Sequence, residues 1–272
     1  MNMRVMLAYC LLYCSPSLAD TYQSRDRESG FVVSDRSFEQ GDQFTTIHPR
    51  RERTIASVYD GDTVRFDNGQ RARLLGINAP EIKSRYRAGQ VGGTTAKKWL
   101  QQKLAGKKVL VEYDQQRLDK YQRQLVHLFL PSGEHINAAM VETGLVSSLI
   151  IPPNLRYAAD LVNAEKKAQL QHKGIWANSV YQVKSLHHLL RQKKPQGWRR
   201  YKLMAKSLKH SKKYSRLIVS DRVDIRIPKQ NLSVFPKLDS YLNREIEVRG
   251  WVSRRKGHYS ILIRHPSAII VD

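Results

Sequence analysis

Three short clusters carry side chains that could bind a cation and act on a phosphate ester. Asp60-Gly61-Asp62 sets two carboxylates around a glycine, and oxygen ligands on a turn suit a hard cation such as Ca²⁺. RLLGINAPE, residues 73–81, delivers an arginine, an amide and a carboxylate: Arg73, Asn78 and Glu81. A guanidinium offers a bidentate fork for a phosphate, and a glutamate can take a proton from water. Asp119-Lys120-Tyr121-Gln122-Arg123 is a charged loop with one aromatic. Each cluster also has a plainer reading. Asp-Gly is an ordinary turn, Arg73 could pair with a carboxylate on a barrel surface, and residues 119–123 could be a solvated connection.

The elements around these clusters are mostly strands. TIASVYDGDTVRF and RARLLGI are strand-like and flank DNGQ, a tight-turn signal. Asn68-Gly69 predicts a two-residue hairpin loop. That register sets Val64 opposite Arg73 and Asp62 opposite Leu75, with Asp62 and Arg73 on one face; a bulge at Gly61 would shift it. Thr94 or Thr95 could cap a helix with Ala96, Trp99, Leu100 and Leu104 inward, and Gly106 could end it. Strands are expected over 108–114 and 125–130, and a short helix over 137–143 before Gly144. Asn154 is expected to cap a long helix running to His172. Gly174 ends that helix, with Ile175 and Trp176 returning to the core.

The 272 residues include 47 Lys or Arg against 24 Asp or Glu, a formal charge of +23. An excess of this size implies a polyanionic partner: nucleic acid, an anionic membrane surface or an acidic polysaccharide. The apolar share, 41%, is ordinary for a folded chain,. Arg4, an apolar run from Val5 to Cys14 and small residues at Ser17 and Ala19 resemble a cleavable export signal over 1–19,, its apolar run too short to span a bilayer. Cys10 and Cys14 both fall inside it, so the mature chain would hold no cysteine. Residues 20–52 are polar and aperiodic and are read as a flexible leader. From Asn178 to Ser220 there are twelve Lys or Arg and no Asp or Glu. Residues 178–214 are therefore read as a basic linker, part-helical at SLHHLLRQ, and 215–272 as a small β-rich domain with a possible second barrel of the same kind. Cutting the chain after Ala177 is then expected to leave a folded domain, 53–177.

The order and spacing of six pieces carry a resemblance. They are DGDTV at 60–64, RLLGINAPE at 73–81, RLDKYQR at 117–123, NAAMVETGL at 137–145, PPN at 152–154 and GIW at 174–176. Together they resemble the staphylococcal-nuclease-like (thermonuclease) family over about residues 54–177. The resemblance implies an α+β fold, mainly β: a five-stranded oligonucleotide/oligosaccharide-binding (OB) barrel with three helices. It implies an exported, Ca²⁺-dependent phosphodiesterase acting on DNA and RNA with little sequence preference and leaving 3′-phosphate ends. By motif, Asp62 matches a metal-binding aspartate, and Asn78 falls where a second aspartate ligand is expected. Ala79 matches a residue that offers its backbone carbonyl to the metal. Arg73 and Arg123 match two phosphate-holding arginines, and Glu81 the carboxylate that positions or deprotonates the attacking water. Lys120 and Tyr121 match residues at the substrate's phosphate end. Gln122 stands where this loop usually has glycine, and Leu149 where an aromatic is expected.

The expected protein is a monomer, periplasmic or secreted, with no stable membrane insertion once the signal is removed. The rival reading is an inherited barrel that binds nucleic acid with weak catalysis, favoured by Asn78 and Leu149. Against it, binding alone gives no reason for Glu81 to face a polyanion.

Overall fold

The computed structural model describes residues 22–26, 30–34, 48–83, 88–193, 195 and 197–271. The signal segment, with Cys10, Cys14 and Ala19, lies outside them. The chain divides into two compact units, 1–49 and 50–272. In the first, β1 (Tyr22–Asp26) pairs antiparallel with β2 (Gly30–Ser34), inside the stretch read as a leader.

The second unit opens with β3 (Arg51–Val58), β4 (Thr63–Phe66), β5 (Arg71–Leu74) and the short β6 (Ile77–Asn78). Helix α1 (Gly93–Leu104), β7 (Lys108–Leu118), β8 (Gln124–Phe129), α2 (Ile136–Glu142), β9 (Ser147–Ser148) and α3 (Ala158–Leu170) follow. Strands β3, β4, β5, β8 and β7 close a barrel in that order, and β6 pairs with β9 beside it. Alternation decides the interior, because successive strand side chains face opposite ways. Ile55, Val64, Phe66, Leu74, Val111 and Leu128 fill it and are fully or almost fully buried. Helix α1 adds Ala96, Leu100 and Leu104 at its own period, and α3 adds Leu161 and Ala164,.

The first hairpin differs from the expected register by one residue. Its loop is Asp67-Asn68-Gly69: Phe66 N–H donates to Gln70 O at 2.9 Å, Gly69 N–H donates to Phe66 O at 3.0 Å, and Gly69 has φ 82°. A turn followed by a left-handed glycine makes a three-residue loop, the common alternative to the two-residue one. Thr63 therefore faces Arg73, and Val64 faces Ala72. Two expected caps also differ. Helix α1 starts after Gly92, with no side-chain cap, so Thr94 and Thr95 lie inside its first turn. Asn154 does not cap α3. Its amide instead clamps Gln116, accepting from that residue's N–H at 2.7 Å and donating to its O at 3.0 Å.

The stretch expected to be a linker is built into a second sheet. It contains β10 (Lys184–Ser185), α4 (Leu186–Arg191), β11 (Trp198–Met204) and β12 (Ser207–His210). These join β13 (Tyr214–Ser220), β14 (Val223–Pro228), β15 (Glu245–Arg255), β16 (His258–Leu262) and β17 (Ile269–Val271). The order is β10-β11-β15-β16-β14-β13-β12, with β17 also on β15. Leu203, Leu217, Ile225, Val248, Tyr259 and Ile261 are buried in its own core. The lysines and arginines hide this alternation: Lys202 of β11 and Arg216 of β13 stand next to the buried Tyr201, Leu203 and Leu217.

This sheet docks on the barrel through buried charge and aromatic rings. Arg249 of β15, 8% exposed, reaches Glu165 of α3, 2% exposed, at 2.6 Å. It also binds Gln169 at 3.0 Å, while Glu247 holds both Arg249 and Arg200. Trp176 packs edge-on against Trp198 with ring centres 6.1 Å apart. Burial raises the Glu165 carboxyl above its usual range, against the pull of Arg249 and the Ser148 donors. Cutting after Ala177 would thus remove the partners of Trp176 and Glu165 and open that face of the barrel domain to water, so 53–177 is expected to be less stable alone than within the full chain. Arg249→Leu should destabilise the chain by about 3 kcal/mol, because a buried charge loses its partner. The double variant Glu165→Leu, Arg249→Leu should recover most of that loss in denaturant titrations. Equal stability of the single variant and the parent would refute the docking role.

A second buried polar cluster should make the barrel acid-sensitive. His135 stacks on Phe129 with centres 4.5 Å apart, and its ring nitrogen lies 3.1 Å from that of His127. Arg50, Glu112 and Tyr157 surround the pair. Burial pushes the His135 imidazole down from 6.5 to about 4, Glu112 opposing and Arg50 assisting; His127 is also lowered, by burial and by the nearby His135 and Arg156. The unfolded histidine takes up its proton near 6.5 and the folded one only near 4, so stability falls as pH drops through that window. For His135 the loss amounts to about 3 kcal/mol. Denaturation midpoints measured from pH 7 to 4 should fall accordingly, and His135→Phe should flatten the curve.

Candidate functional site

The site is assembled where the β3–β4 turn, the end of β5 and the β7–β8 loop meet. Gly61 makes the turn possible: a Cβ there would lie 2.6 Å from Ala79 Cβ and 2.7 Å from Ala96 Cβ. Asp60 closes the turn by accepting the Asp62 N–H at 3.0 Å. Asp62, 2% exposed, then points inward. One oxygen pairs with the Arg73 guanidinium and accepts the Thr63 hydroxyl at 3.1 Å. The other accepts the Ala79 N–H at 2.8 Å. Burial pushes the Asp62 carboxyl well above the usual carboxylate range; Arg73 and the Ala79 N–H oppose this, and Asp60 adds to it. Arg73 also donates to Ile77 O at 3.2 Å. Gly76, φ 73°, turns the chain between β5 and β6 against Leu161, so that Ile77–Asn78 can fold back over the arginine.

Arg123 arrives by a different route. Strands β5 and β8 run parallel, with Ala72 beside Gln124 and Arg73 beside Leu125, so the residue before β8 emerges near Arg73. Asp119 holds it, accepting from Arg123 Nε at 2.8 Å and from the backbone N–H groups of Tyr121 and Arg123 at 2.8 and 3.0 Å. Burial alone would raise the Asp119 carboxyl; these donors outweigh it and hold it below its ordinary value. Arg123 Nη1 lies 3.5 Å from the Thr63 hydroxyl, the same hydroxyl that serves Asp62. Gln122 sits at φ 62° where the loop turns, so a residue with a Cβ takes a conformation that favours glycine,.

Asp62, Arg73 and Ala79 are thus in direct contact, and Arg123 is one hydroxyl away. Asn78 is half-buried beside them, in β6 opposite Ser147. Glu81 is exposed just past Ala79, and Gln90 braces its backbone on both sides, at 3.1 and 2.7 Å. Lys120 and Tyr121 stand on the outer loop. Tyr121 is 61% exposed, with the Lys120 ammonium 4.8 Å and the Arg123 guanidinium 5.6 Å from its ring. Leu149 is set apart, lining a hollow with Trp198 and Trp251 of the second sheet. Sequence reasoning missed the bracing roles of Thr63, Asp119 and Gln90. Only Asp119 had a local signal: an aspartate two and four residues before the N–H groups it accepts from forms an Asx-type turn.

The donor set offered by Asp60, Asp62, the Asn78 amide and nearby carbonyls is oxygen only. That chemistry fits a hard divalent cation. Among the described residues no three His, Cys, Asp or Glu side chains form a ready-made metal cluster. A cation here would therefore depend on Asp62 with carbonyl, water or phosphate oxygens. Among the described residues, no helix is long and apolar enough to cross a membrane.

A closed five-stranded barrel packed with three helices, carrying two arginines around a buried aspartate, defines an OB-type barrel suited to handling phosphate. Residues 71–178 match the staphylococcal nuclease homologue family. The chain is 32% identical over 127 residues to "Thermonuclease" of Staphylococcus hyicus, covering 46% of this chain and 75% of the relative. It is 34% identical over 125 residues to "Thermonuclease" of Staphylococcus intermedius, covering 45% and 74%. It is 30% identical over 138 residues to "Uncharacterized endonuclease" of Escherichia coli O157:H7, covering 49% and 79%. The chain belongs to the staphylococcal nuclease homologue family, and the second sheet lies beyond the matched segment.

Proposed function

We propose that the protein is an exported, Ca²⁺-dependent nuclease that hydrolyses DNA and RNA with little sequence preference and leaves 3′-phosphate ends. Membership of a nuclease family supports hydrolysis of phosphodiester bonds. The observation that carries the reading is the Asp62–Arg73–Ala79 contact with Arg123 joined through Thr63. Two guanidiniums fixed in advance stabilise charge that grows on the phosphoryl oxygens. Arg73 and Arg123 hold the scissile phosphate. Glu81 accepts a proton from water as its oxygen attacks phosphorus. The bond to the 5′-oxygen breaks, and that oxygen takes a proton from solvent. Lys120 and Tyr121 contact the phosphate end of the substrate. Asp62, the Asn78 amide oxygen and the Ala79 carbonyl, with Asp60 as helper, would hold Ca²⁺, which when bound would supply Lewis-acid charge for the phosphate.

The test is digestion of plasmid DNA, single-stranded DNA and RNA by the purified protein, with Ca²⁺ and with chelator, followed by analysis of the ends. Cleavage in Ca²⁺ alone, with 3′-phosphate products, is the expected result. Binding without cleavage would favour the rival binding protein, towards which the uncharged Asn78 points.

The metal assignment has its own test. Asn78→Asp adds a formal charge beside Asp62 and should tighten Ca²⁺ binding without substrate by about tenfold or more. Calorimetric titration of both forms measures this. Equal affinities would remove Asn78 from the metal site.

A further inference from the structure

The second sheet presents a basic face that the barrel site does not use. Residues 178–272 hold 22 Lys or Arg against 6 Asp or Glu. Several of those acids are already engaged: Glu247 holds Arg200 and Arg249, and Glu245 pairs with Lys202. Asp224 is fully buried and serves Arg216 and Arg226 at once, with the His258 imidazole at 3.4 Å. One carboxylate cannot neutralise two guanidiniums, so this centre stays positive.

The register shows that these charges share one side. Cross-strand partners lie on the same face. Lys209 pairs with Arg216, Arg216 with Arg226, Asp224 with Ser260, Ser260 with Ser253, and His258 with Arg255. Two residues back along β15 from Ser253 is Trp251, then Arg249, which docks on α3. The face is therefore continuous. Its inner half packs on the barrel domain, and its outer half, with Lys209, Ser253 and Arg255 exposed, is uncovered. Trp251 stands at the border, 38% exposed. It shares its hollow with Ser148 and Leu149, and Ser147, one residue earlier, pairs with Asn78 of the candidate site.

We propose that this outer half is a second binding surface, specific for single-stranded nucleic acid and continuous with the barrel site along β9. Trp251 stacks on an unpaired base, while Lys209, Arg216, Arg226 and Arg255 meet the phosphates. Positive charge alone would suit any polyanion. A half-exposed indole beside it favours a strand whose bases are free to stack, because a duplex keeps its bases stacked on one another. The identity of the polymer rests on the nuclease reading; the surface itself needs no catalysis.

Binding should be measured on the full chain carrying Glu81→Gln, which slows cleavage, and in chelator, with a labelled single strand of about 16 nucleotides and a duplex of equal length. Trp251→Ala should weaken single-strand binding about tenfold and leave duplex binding nearly unchanged. Trp251→Phe, which keeps a ring, should restore affinity and guards against a folding artefact. Lys209→Gln with Arg255→Gln should lower the log–log salt slope on the single strand by about 1.4. Unchanged affinity in Trp251→Ala with an unchanged slope in the double variant would overturn the proposal, as would equal losses on single strand and duplex. Failure of the nuclease reading shows separately, as absence of cleavage by the parent protein.

Discussion

Glu81→Gln is expected to lower turnover by about 10² to 10⁴-fold, the range for loss of a positioned general base. The substitution keeps the volume and removes only the acceptor's charge. Glu81 is exposed, and two backbone bonds to Gln90 brace its position. Both bonds are made by the Glu81 backbone and survive the substitution. Affinity for an oligonucleotide should be equal or slightly higher, since a negative charge facing the phosphates is gone. Steady-state rates on a defined substrate, with thermal unfolding as a control, check both parts. A variant with parental turnover would exclude Glu81 as base or water-positioner. If folding and turnover fell together, the loss would have to be assigned to the loop rather than to proton transfer.

Arg73→Lys is expected to cost about 10² to 10³-fold in turnover, comparable to removing one preorganised donor from an anion-stabilising site. A lysine is a point charge and cannot keep the guanidinium's planar fork. Arg73 carries two duties that need that fork, since it pairs with Asp62 and donates to Ile77 O. The variant should therefore also loosen the return of the chain into β6 and weaken Ca²⁺ binding. Arg123→Lys should lower turnover to a similar degree but leave Ca²⁺ affinity near the parent value. Its partner is Asp119 on the outer loop, and it touches Thr63 rather than Asp62. Turnover and Ca²⁺ titration on the two variants separate these effects. If both kept near-parental rates, the phosphate clamp would be misassigned.

Much of the barrel domain was legible in the sequence. Turn residues such as Asn68-Gly69 and Gly144, and the apolar periods of β4, β7 and α1, are local signals that state where the chain is buried. The family resemblance was also local, since its motifs are short and lie in order. The hairpin was expected to set Asp62 and Arg73 on one face; they form an ion pair, but in a register that puts Thr63 opposite Arg73. Only Gly69 is left-handed, at φ 82°, whereas a two-residue Asn-Gly loop needs both residues so, and nothing in the four-residue turn distinguishes the two loops before the flanking strands are closed into the barrel,.

Other features were decided only by tertiary contacts. Thr63 and Gln90 have no signature of their own; each matters because a parallel β5–β8 pair, or the return of the chain before α1, brings it to Asp62, Arg123 or Glu81. Residues 178–214 looked like a solvated linker because lysine and arginine dominate their composition. The apolar partners of Trp198, Tyr201 and Leu203 lie some fifty residues later in β15 or back in the barrel domain, so the burial that makes β11 a strand is not visible within the segment. Glu165 and Arg249 show the same limit. They are 84 residues apart, and each alone reads as an ordinary surface charge. Only the docking of the second sheet on α3 removes both from water and makes them a buried pair.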